Sequence, residues 1–271
     1  MPVSRSTSRS VELPKRGLRP RAIVVLVLIA LLAALVVVAG ALPASVATHF
    51  LPDGVQARDW SGSLWHGEAA QVRFRNLDLG AVEWQIHPSA LLQLTLAADL
   101  QWVHRGFGLT GRAALGRNNV TLSAIQGGGP IEDLGDLGVA AGWHGTVQVS
   151  VDTVASDFTR VLAASGNVQV SDLTANRVAG GADLGSYVLR LSPTAVDASG
   201  VITGELSDAG GPLAVQGTIT INPQQHTGLV SGTVQERADT PAELRRDLTD
   251  LVQMRGRDSQ GRIPIDLEFS F

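Results

Sequence analysis

Six histidines, His49, His66, His87, His104, His144 and His226, are the side chains best suited to hold a metal or carry a proton. A zinc site legible in sequence sets two of them four residues apart on a helix, as in HExxH, and no pair here has that spacing. They read as surface or strand-edge residues. Gly106-Phe107-Gly108-Leu109-Thr110-Gly111 fits the GxGxxG dinucleotide pattern, whose third glycine must open a helix onto a pyrophosphate. Arg112 to Leu115 run instead into Gly116, Asn118 and Asn119, so the match predicts a glycine-bent strand or hairpin. Gly127-Gly128-Gly129-Pro130 lacks the Gly-Lys-Ser/Thr of a phosphate loop and reads as a flexible connection. There is no GxSxG for a serine nucleophile. The carboxylate pairs Asp133/Asp136 and Asp247/Asp250 could divide acid and base roles, but one falls in a loop and the other on a polar helix face, where solvation accounts for them. The absence of cysteine excludes disulfides, thiol catalysis and thiolate-held metals. The chemistry-bearing residues therefore point away from an enzyme and call for no metal and no cofactor. Binding or assembly is the expected class of function.

The elements that would position any site are strands. From Trp60 to Val234 apolar residues recur at every second position, the spacing that lines one face of a strand. Val82, Trp84 and Ile86 alternate with Glu83, Gln85 and His87, and Val147, Val149 and Val151 alternate with Gln148, Ser150 and Asp152. The same period marks Val72/Phe74, Val120/Leu122, Val168/Val170, Tyr187/Leu189/Leu191, Leu213/Val215 and Ile219/Ile221. Thirty glycines punctuate these segments as turns and bulges. The pattern predicts an all-β body, a curved antiparallel sheet or a sandwich, with one wet face. The tryptophans Trp60, Trp65, Trp84, Trp102 and Trp143 are expected to fill its core.

Helix signals are few. Thr240-Pro241-Ala242-Glu243 supplies an N-cap, a first-turn proline and a capping-box glutamate. Leu244, Leu248, Leu251 and Val252 then form one apolar stripe to about Met254. Shorter helical turns are expected at Ser89 to Leu92 and at Asp157 to Ala163, and a last strand at Ile263 to Phe271. Trp65-His66-Gly67 is echoed by Trp143-His144-Gly145, and Asp-Leu-Gly recurs, which suggests a two-layer division of the body near residues 127–138.

Ala22 to Leu42 is a run of 21 residues with no charge and no strongly polar side chain. About twenty helical residues cross the roughly 30 Å hydrocarbon core of a bilayer, so this run reads as one transmembrane helix rather than the 7–15-residue core of a cleaved signal. Residues 1–21 carry Arg5, Arg9, Lys15, Arg16, Arg19 and Arg21 against Glu12 alone, a basic tail that stays cytoplasmic and orients the span. The formal charge of −4 is thus the sum of a tail at +5 and a remainder at −9. With 15 bases against 24 acids beyond the tail, a nucleic-acid surface is excluded. Residues 43–271 then form a body outside the cytoplasm.

Four stretches carry a family resemblance. Gly62-Ser63-Leu64-Trp65-His66-Gly67-Glu68-Ala69 follows the anchor, and Trp84, Pro88, Leu91 and Leu92 mark a second segment about fifteen residues on. Gly210-Gly211-Pro212-Leu213 and Asp258-Ser259-Gln260-Gly261-Arg262-Ile263-Pro264 close the set. In these the chain resembles the type II secretion system protein N family. That resemblance implies an accessory, single-pass inner-membrane component of a double-membrane bacterium, with a cytoplasmic N-terminus and a periplasmic body. It would act as a scaffold in the export of folded proteins across the outer membrane, touching the inner-membrane platform subunits and the outer-membrane secretin. The motif residues Gly62, Ser63, Leu64, Trp65, Gly67, Ala69, Trp84, Pro88, Leu91, Leu92, Gly261, Arg262 and Pro264 are expected to act structurally, with Gly62 and Gly67 bending the backbone around a buried Trp65 indole. The alternative is an AsmA-like periplasmic protein that binds or transfers lipid, a resemblance in architectural outline only.

Overall fold

The computed structural model describes residues 42–51, 54–75, 77–137, 142–176 and 179–270. The basic tail and all but the last residue of the apolar run lie outside this set, and no described helix is long and apolar enough to cross a membrane.

Strict alternation has produced one antiparallel sheet of thirteen strands in sequence order. They are β1 (Val55–Gly62), β2 (His66–Phe74), β3 (Leu77–His87), β4 (Leu96–His104), β5 (Phe107–Leu115), β6 (Val120–Pro130) and β7 (Trp143–Ser156). They continue as β8 (Val161–Ala175), β9 (Asp183–Leu191), β10 (Ile202–Gly210), β11 (Leu213–Asn222), β12 (Thr227–Glu236) and β13 (Ile263–Ser270). The single α-helix among the described residues, α1 (Ala242–Arg255), connects β12 to β13.

Residues paired across antiparallel strands share a face. One row reads Trp60, Ala69, Val82, Trp102, Leu109, Gly127, Val149, Val168, Leu189, Leu206, Gly217, Gly232 and Ile265 across all thirteen strands, without a polar side chain. The adjacent row, on the other face, reads Ser61, Glu68, Glu83, Gln101, Thr110, Gln126, Ser150, Asn167, Arg190, Glu205, Thr218, Ser231 and Asp266. Along these rows the period-2 patterns of the segments are in register, with bulges shifting the ladders elsewhere, and this fixes the pairing, since a one-residue slip would put polar groups on the apolar face.

Only one end of the apolar face has a dense core. Leu244 and Leu248 of α1 pack on Ala175, Leu184, Leu213, Val234 and Ile263, with Trp143, Leu173, Val215, Leu251 and Val252 around them. The expected helical stripe is thus the one that docks. Its cap differs from expectation: Thr240 makes no N-cap bond. Its Oγ1 lies within donating distance of the carbonyl oxygens of Pro212 (2.7 Å) and Arg237 (2.8 Å), which share its one proton, and accepts the Arg237 N–H (3.0 Å), pinning the β10–β11 turn to the helix approach.

Three local expectations are corrected. The triple glycine is not a flexible connection but the interior of β6; at Gly127 and Gly128 (φ 150° and 157°) a Cβ would fall 2.0 and 2.1 Å from the carbonyl oxygens of Gly108 and Val147. Asp157 to Ala163 forms no helix. The Asp157 carboxylate accepts N–H bonds from Thr159 and Arg160, each 3.0 Å, and the chain enters β8 at Val161. His104 is not a strand-edge residue, being only 4% exposed beneath Trp102. The turn expected at Ser89 to Leu92 does form, as a 3-10 helix over Pro88–Gln93.

Candidate interaction site

Ten of the motif residues come together at one corner of the sheet. β1 ends at Gly62 and β2 begins at His66, and this hairpin lies at the same strand ends as the β3–β4 connection, because Gly67 pairs with Trp84 and the Ile86 N–H donates to the Trp65 carbonyl (2.7 Å). The Trp84 indole N–H reaches back to the Leu64 carbonyl (2.9 Å), and its ring meets Trp60 edge-on at 5.8 Å. The chain enters the fold here too. Pro43 bridges to Ser63, and Ala44 is buried.

This packing explains the glycines. A Cβ on Gly67 would lie 2.6 Å from the Ser63 carbonyl, 2.6 Å from Trp84 Cζ2 and 2.9 Å from Ala44 Cβ. The expectation of a bend around a buried Trp65 is corrected accordingly, since Trp65 is half-buried and the indole that Gly67 abuts is that of Trp84. Ala69 is buried two pairs along the ladder, opposite Val82.

Pro88 opens the 3-10 helix at the end of β3, and the leucines it introduces do not enter the core. Leu91, Leu92, Leu94 and Leu96 are all exposed, Leu92 to 89% and Leu94 to 88%. Sequence reasoning picked out Leu91 and Leu92 by motif and missed Leu94, whose left-handed backbone (φ 55°) no apolar period announces. Beside this corner, His87 Nε2 and Arg112 Nε lie 2.7 and 2.8 Å from the two carboxylate oxygens of Asp99. The hydrogen bond from Arg112, then that from His87, holds the Asp99 carboxyl below the usual carboxylate range.

Gly261, Arg262 and Pro264 are not part of this corner. They enter β13, the last strand of the order, where the Asp258 carboxylate accepts the backbone N–H of Gln260 and Arg262 and the Arg262 Nε–H at 2.9 Å. Pro264 pairs with Thr233. The outer flank of β13 is a sheet edge, and Leu267 and Phe269 on it are 57% and 43% exposed. Arg255 of α1 donates to the Asp266 carbonyl at 3.2 Å, so part of the strand's hydrogen-bonding capacity is taken within the chain.

The carboxylates weighed as acid and base do other things. Asp133 accepts the Gly106 N–H (3.0 Å) and Asp136 pairs with Arg105, so both clamp the β4–β5 turn. No cluster of three or more His, Asp or Glu able to hold a metal occurs among the described residues. Tyr187 is strongly perturbed: its hydroxyl donates to the Leu184 carbonyl, and its pKa is pushed up to about 12 by burial and then by the charges of Asp208 and Asp183.

The sheet, its corner motif and its closing Arg-Pro segment have counterparts in known proteins. The family model for type II secretion system (T2SS), protein N, matches residues 53–266, nearly the whole described body. A type II secretion system protein N from Aeromonas hydrophila is 27% identical over 237 residues, 83% of this chain and 89% of the relative. One from Vibrio cholerae serotype O1 is 44% identical over 63 residues, 22% of this chain and 25% of the relative. No solved structure matches the chain. A family match that runs from the entry to β1 through β13 takes in both motif regions, and by it the chain belongs to the type II secretion system protein N family, with the role in type II secretion that this membership supports.

Proposed function

We propose that the protein is an accessory inner-membrane component of the type II secretion system, a non-enzymatic scaffold whose periplasmic sheet helps assemble the export apparatus. Family membership supports the system, and the apolar run Ala22 to Leu42 behind a +5 tail supports the anchor and its orientation. The single observation that carries the scaffold reading is the β13 edge, a terminal strand of a thirteen-stranded sheet that exposes Leu267 and Phe269. An added strand from a partner would gain backbone hydrogen bonds there and seat alternate side chains on the exposed apolar ones. The inner-membrane platform subunits and the secretin are the partners this reading names. The test is photo-crosslinking in the native membrane from an unnatural residue at Leu267, with Gln148 in mid-sheet as the control position. Capture of platform or secretin subunits from 267 and not from 148 is the expected result. Efficient crosslinking to neither class would sink the scaffold reading.

A second reading is favoured by the apolar row that crosses every strand. Half-buried valines, leucines and tryptophans aligned from strand to strand along this row form a surface on which acyl chains could lie, as in an AsmA-like lipid-binding protein. Mass spectrometry of lipid bound to the purified chain after exhaustive detergent exchange distinguishes the two. Stoichiometric phospholipid favours lipid handling, and its absence leaves the scaffold.

A further inference from the structure

Charge is spread unevenly over the strand ends of the described body, and the ends that carry the β1–β2 and β3–β4 connections have theirs, Arg117, Asp157, Arg160 and Asp197, on later turns. One set of strand ends carries α1 and the long β6–β7 and β12–β13 connections, rich in charge: Glu132, Asp133 and Asp136, then Arg237, Glu243, Arg245, Arg246, Asp247 and Asp250. The opposite ends carry the β1–β2 hairpin and the β3–β4 connection, and from Trp84 to Ala98 there is no Asp, Glu, Lys or Arg. This uncharged segment holds the most exposed leucines of the described residues, Leu92 and Leu94, with Leu91 and Leu96 exposed beside them. Leu94 is fixed in a left-handed conformation by its N–H bond to the Leu91 carbonyl (3.0 Å), while the Thr95 N–H bonds to the Ala90 carbonyl (3.2 Å). The leucines are therefore presented on a closed turn, not a loose loop.

What covers them follows from where the chain enters the fold. The 21-residue apolar run ends at Leu42, and the next residue, Pro43, already bridges to Ser63 in the β1–β2 hairpin. Neighbouring strands lie about 4.8 Å apart, so three spacings separate β1 from β4 and the leucine turn lies within about 15 Å of the entry point. If the run crosses a bilayer, a strand end so close to its last residue faces the lipid headgroups. An exposed, uncharged leucine turn at that place is suited to the boundary between headgroups and acyl chains, which amphipathic surfaces enter by about 5–10 Å. The nearest acid, Asp99, has its charge met by Arg112 and His87, so repulsion from anionic lipid is suppressed.

We propose that the turn bearing Leu91, Leu92 and Leu94 is a membrane-contact surface that seats the sheet on the outer leaflet of the bilayer crossed by the chain's own apolar run. The inference rests on reading residues 22–42 as a membrane span. It adds a second attachment point, which would fix the tilt of the sheet over the membrane where a single flexible tether would leave it free.

The chain has no cysteine, so one introduced residue labels one place. The full-length protein is reconstituted into vesicles of phosphatidylethanolamine and phosphatidylglycerol, with a nitroxide at Leu92→Cys, Leu94→Cys, Val36→Cys or Met254→Cys. Met254 is 76% exposed on α1 and serves as the water reference. Oxygen concentrates in hydrocarbon and a nickel chelate in water, so their collision ratio reports depth. Positions 92 and 94 are expected to show a ratio severalfold above 254 and to approach 36. Should 36 lie in lipid while 92 and 94 match 254, the anchor stands and the membrane-contact inference is overturned. Should 36 also match 254, the anchor reading falls and takes the inference with it. Leu91→Cys replaces either variant whose thermal transition departs from the parent.

Discussion

The indole N–H of Trp84 donates to the backbone oxygen of Leu64 across twenty residues of sequence, at 2.9 Å. The two motif segments are therefore one structural unit. Leu64 belongs to the hairpin that receives the entering chain, and Trp84 to the strand that runs on to Pro88 and the leucine turn. A change on either side must be felt on the other.

Trp84→Phe removes that hydrogen bond and weakens the edge contact with Trp60. Together these should cost about 1–2 kcal/mol in denaturant unfolding. Trp84→Ala, which also empties the space beside Gly67, should cost about 3 kcal/mol, and Trp65→Ala less, because the bond to Leu64, the edge contact with Trp60 and the packing on Gly67 all belong to the Trp84 indole. A larger loss at 65 than at 84 would reverse the assignment of which indole the corner is built around.

His104 Nε2 is buried without a hydrogen-bond partner, and the ring stacks flat against Trp102 at 6.3 Å. An unpaired buried polar atom is a net loss, so His104→Leu should leave stability unchanged or raise it by about 1 kcal/mol. Urea denaturation of the two proteins decides the point. A marked loss would mean that the ring is held by something the leucine cannot replace.

How much of this was legible follows the length of the signal. The period-2 runs at Val82 to Ile86 and Val147 to Val151 sit in β3 and β7, since alternation over a whole strand outweighs any one residue. The stripe at Leu244, Leu248, Leu251 and Val252 docks as read. Misreadings came where a single residue's local chemistry competes with tertiary contact. Gly127 and Gly128 look like linker in sequence, yet they are required by the backbone of neighbouring strands on both sides. Thr240 looks like an N-cap, yet its hydroxyl is taken by Pro212, twenty-eight residues away. The register of apolar rows across thirteen strands could not be read from any segment alone, because it is a property of the turns between them.

Thr240 is buried, and its Oγ1 is shared by the carbonyls of Pro212 and Arg237. Thr240→Val keeps the shape and removes the hydroxyl, leaving the Pro212 and Arg237 carbonyls and the Arg237 N–H only their backbone bonds (Arg237 N–H to Pro212, 3.1 Å; Thr240 N–H to Arg237, 3.2 Å), so a loss of about 0.5–1.5 kcal/mol is expected by thermal or denaturant unfolding. Thr240→Ser restores the hydroxyl and should recover most of it.

Tyr187 is the single tyrosine of the chain, so absorbance at 295 nm titrates it alone. Burial disfavours the phenolate, and the charges of Asp208 and Asp183 add to that, so the midpoint should lie at about 12 in the folded protein. The unfolded tyrosine titrates near 10. The neutral form is favoured by folding, so the contribution of Tyr187 is complete below about pH 10 and is lost as pH rises toward 12. A folded-state midpoint near 10 would place the ring in water.

The acid limb should answer to Asp208. Burial pushes its carboxyl up, but the Val215 N–H (3.0 Å) and the Arg237 guanidinium more than offset this, and the net position is below the usual carboxylate range. A depressed pKa in the folded state means that the unfolded chain takes up the proton first. Stability from this group is therefore present above about pH 4, the unfolded value, and drains away as pH falls through the lower folded value. Asp208→Asn removes the titration while keeping an acceptor for the Val215 N–H. The variant should be less stable than the parent at pH 7, and the gap should narrow as pH falls below 4. Because Arg237 also donates to the Gly211 carbonyl at 2.8 Å, the substitution leaves the guanidinium a partner, and the β10–β11 turn should stay closed. A gap that stays constant from pH 7 to pH 3 would mean that the Asp208 charge contributes nothing to folding and that only its shape does.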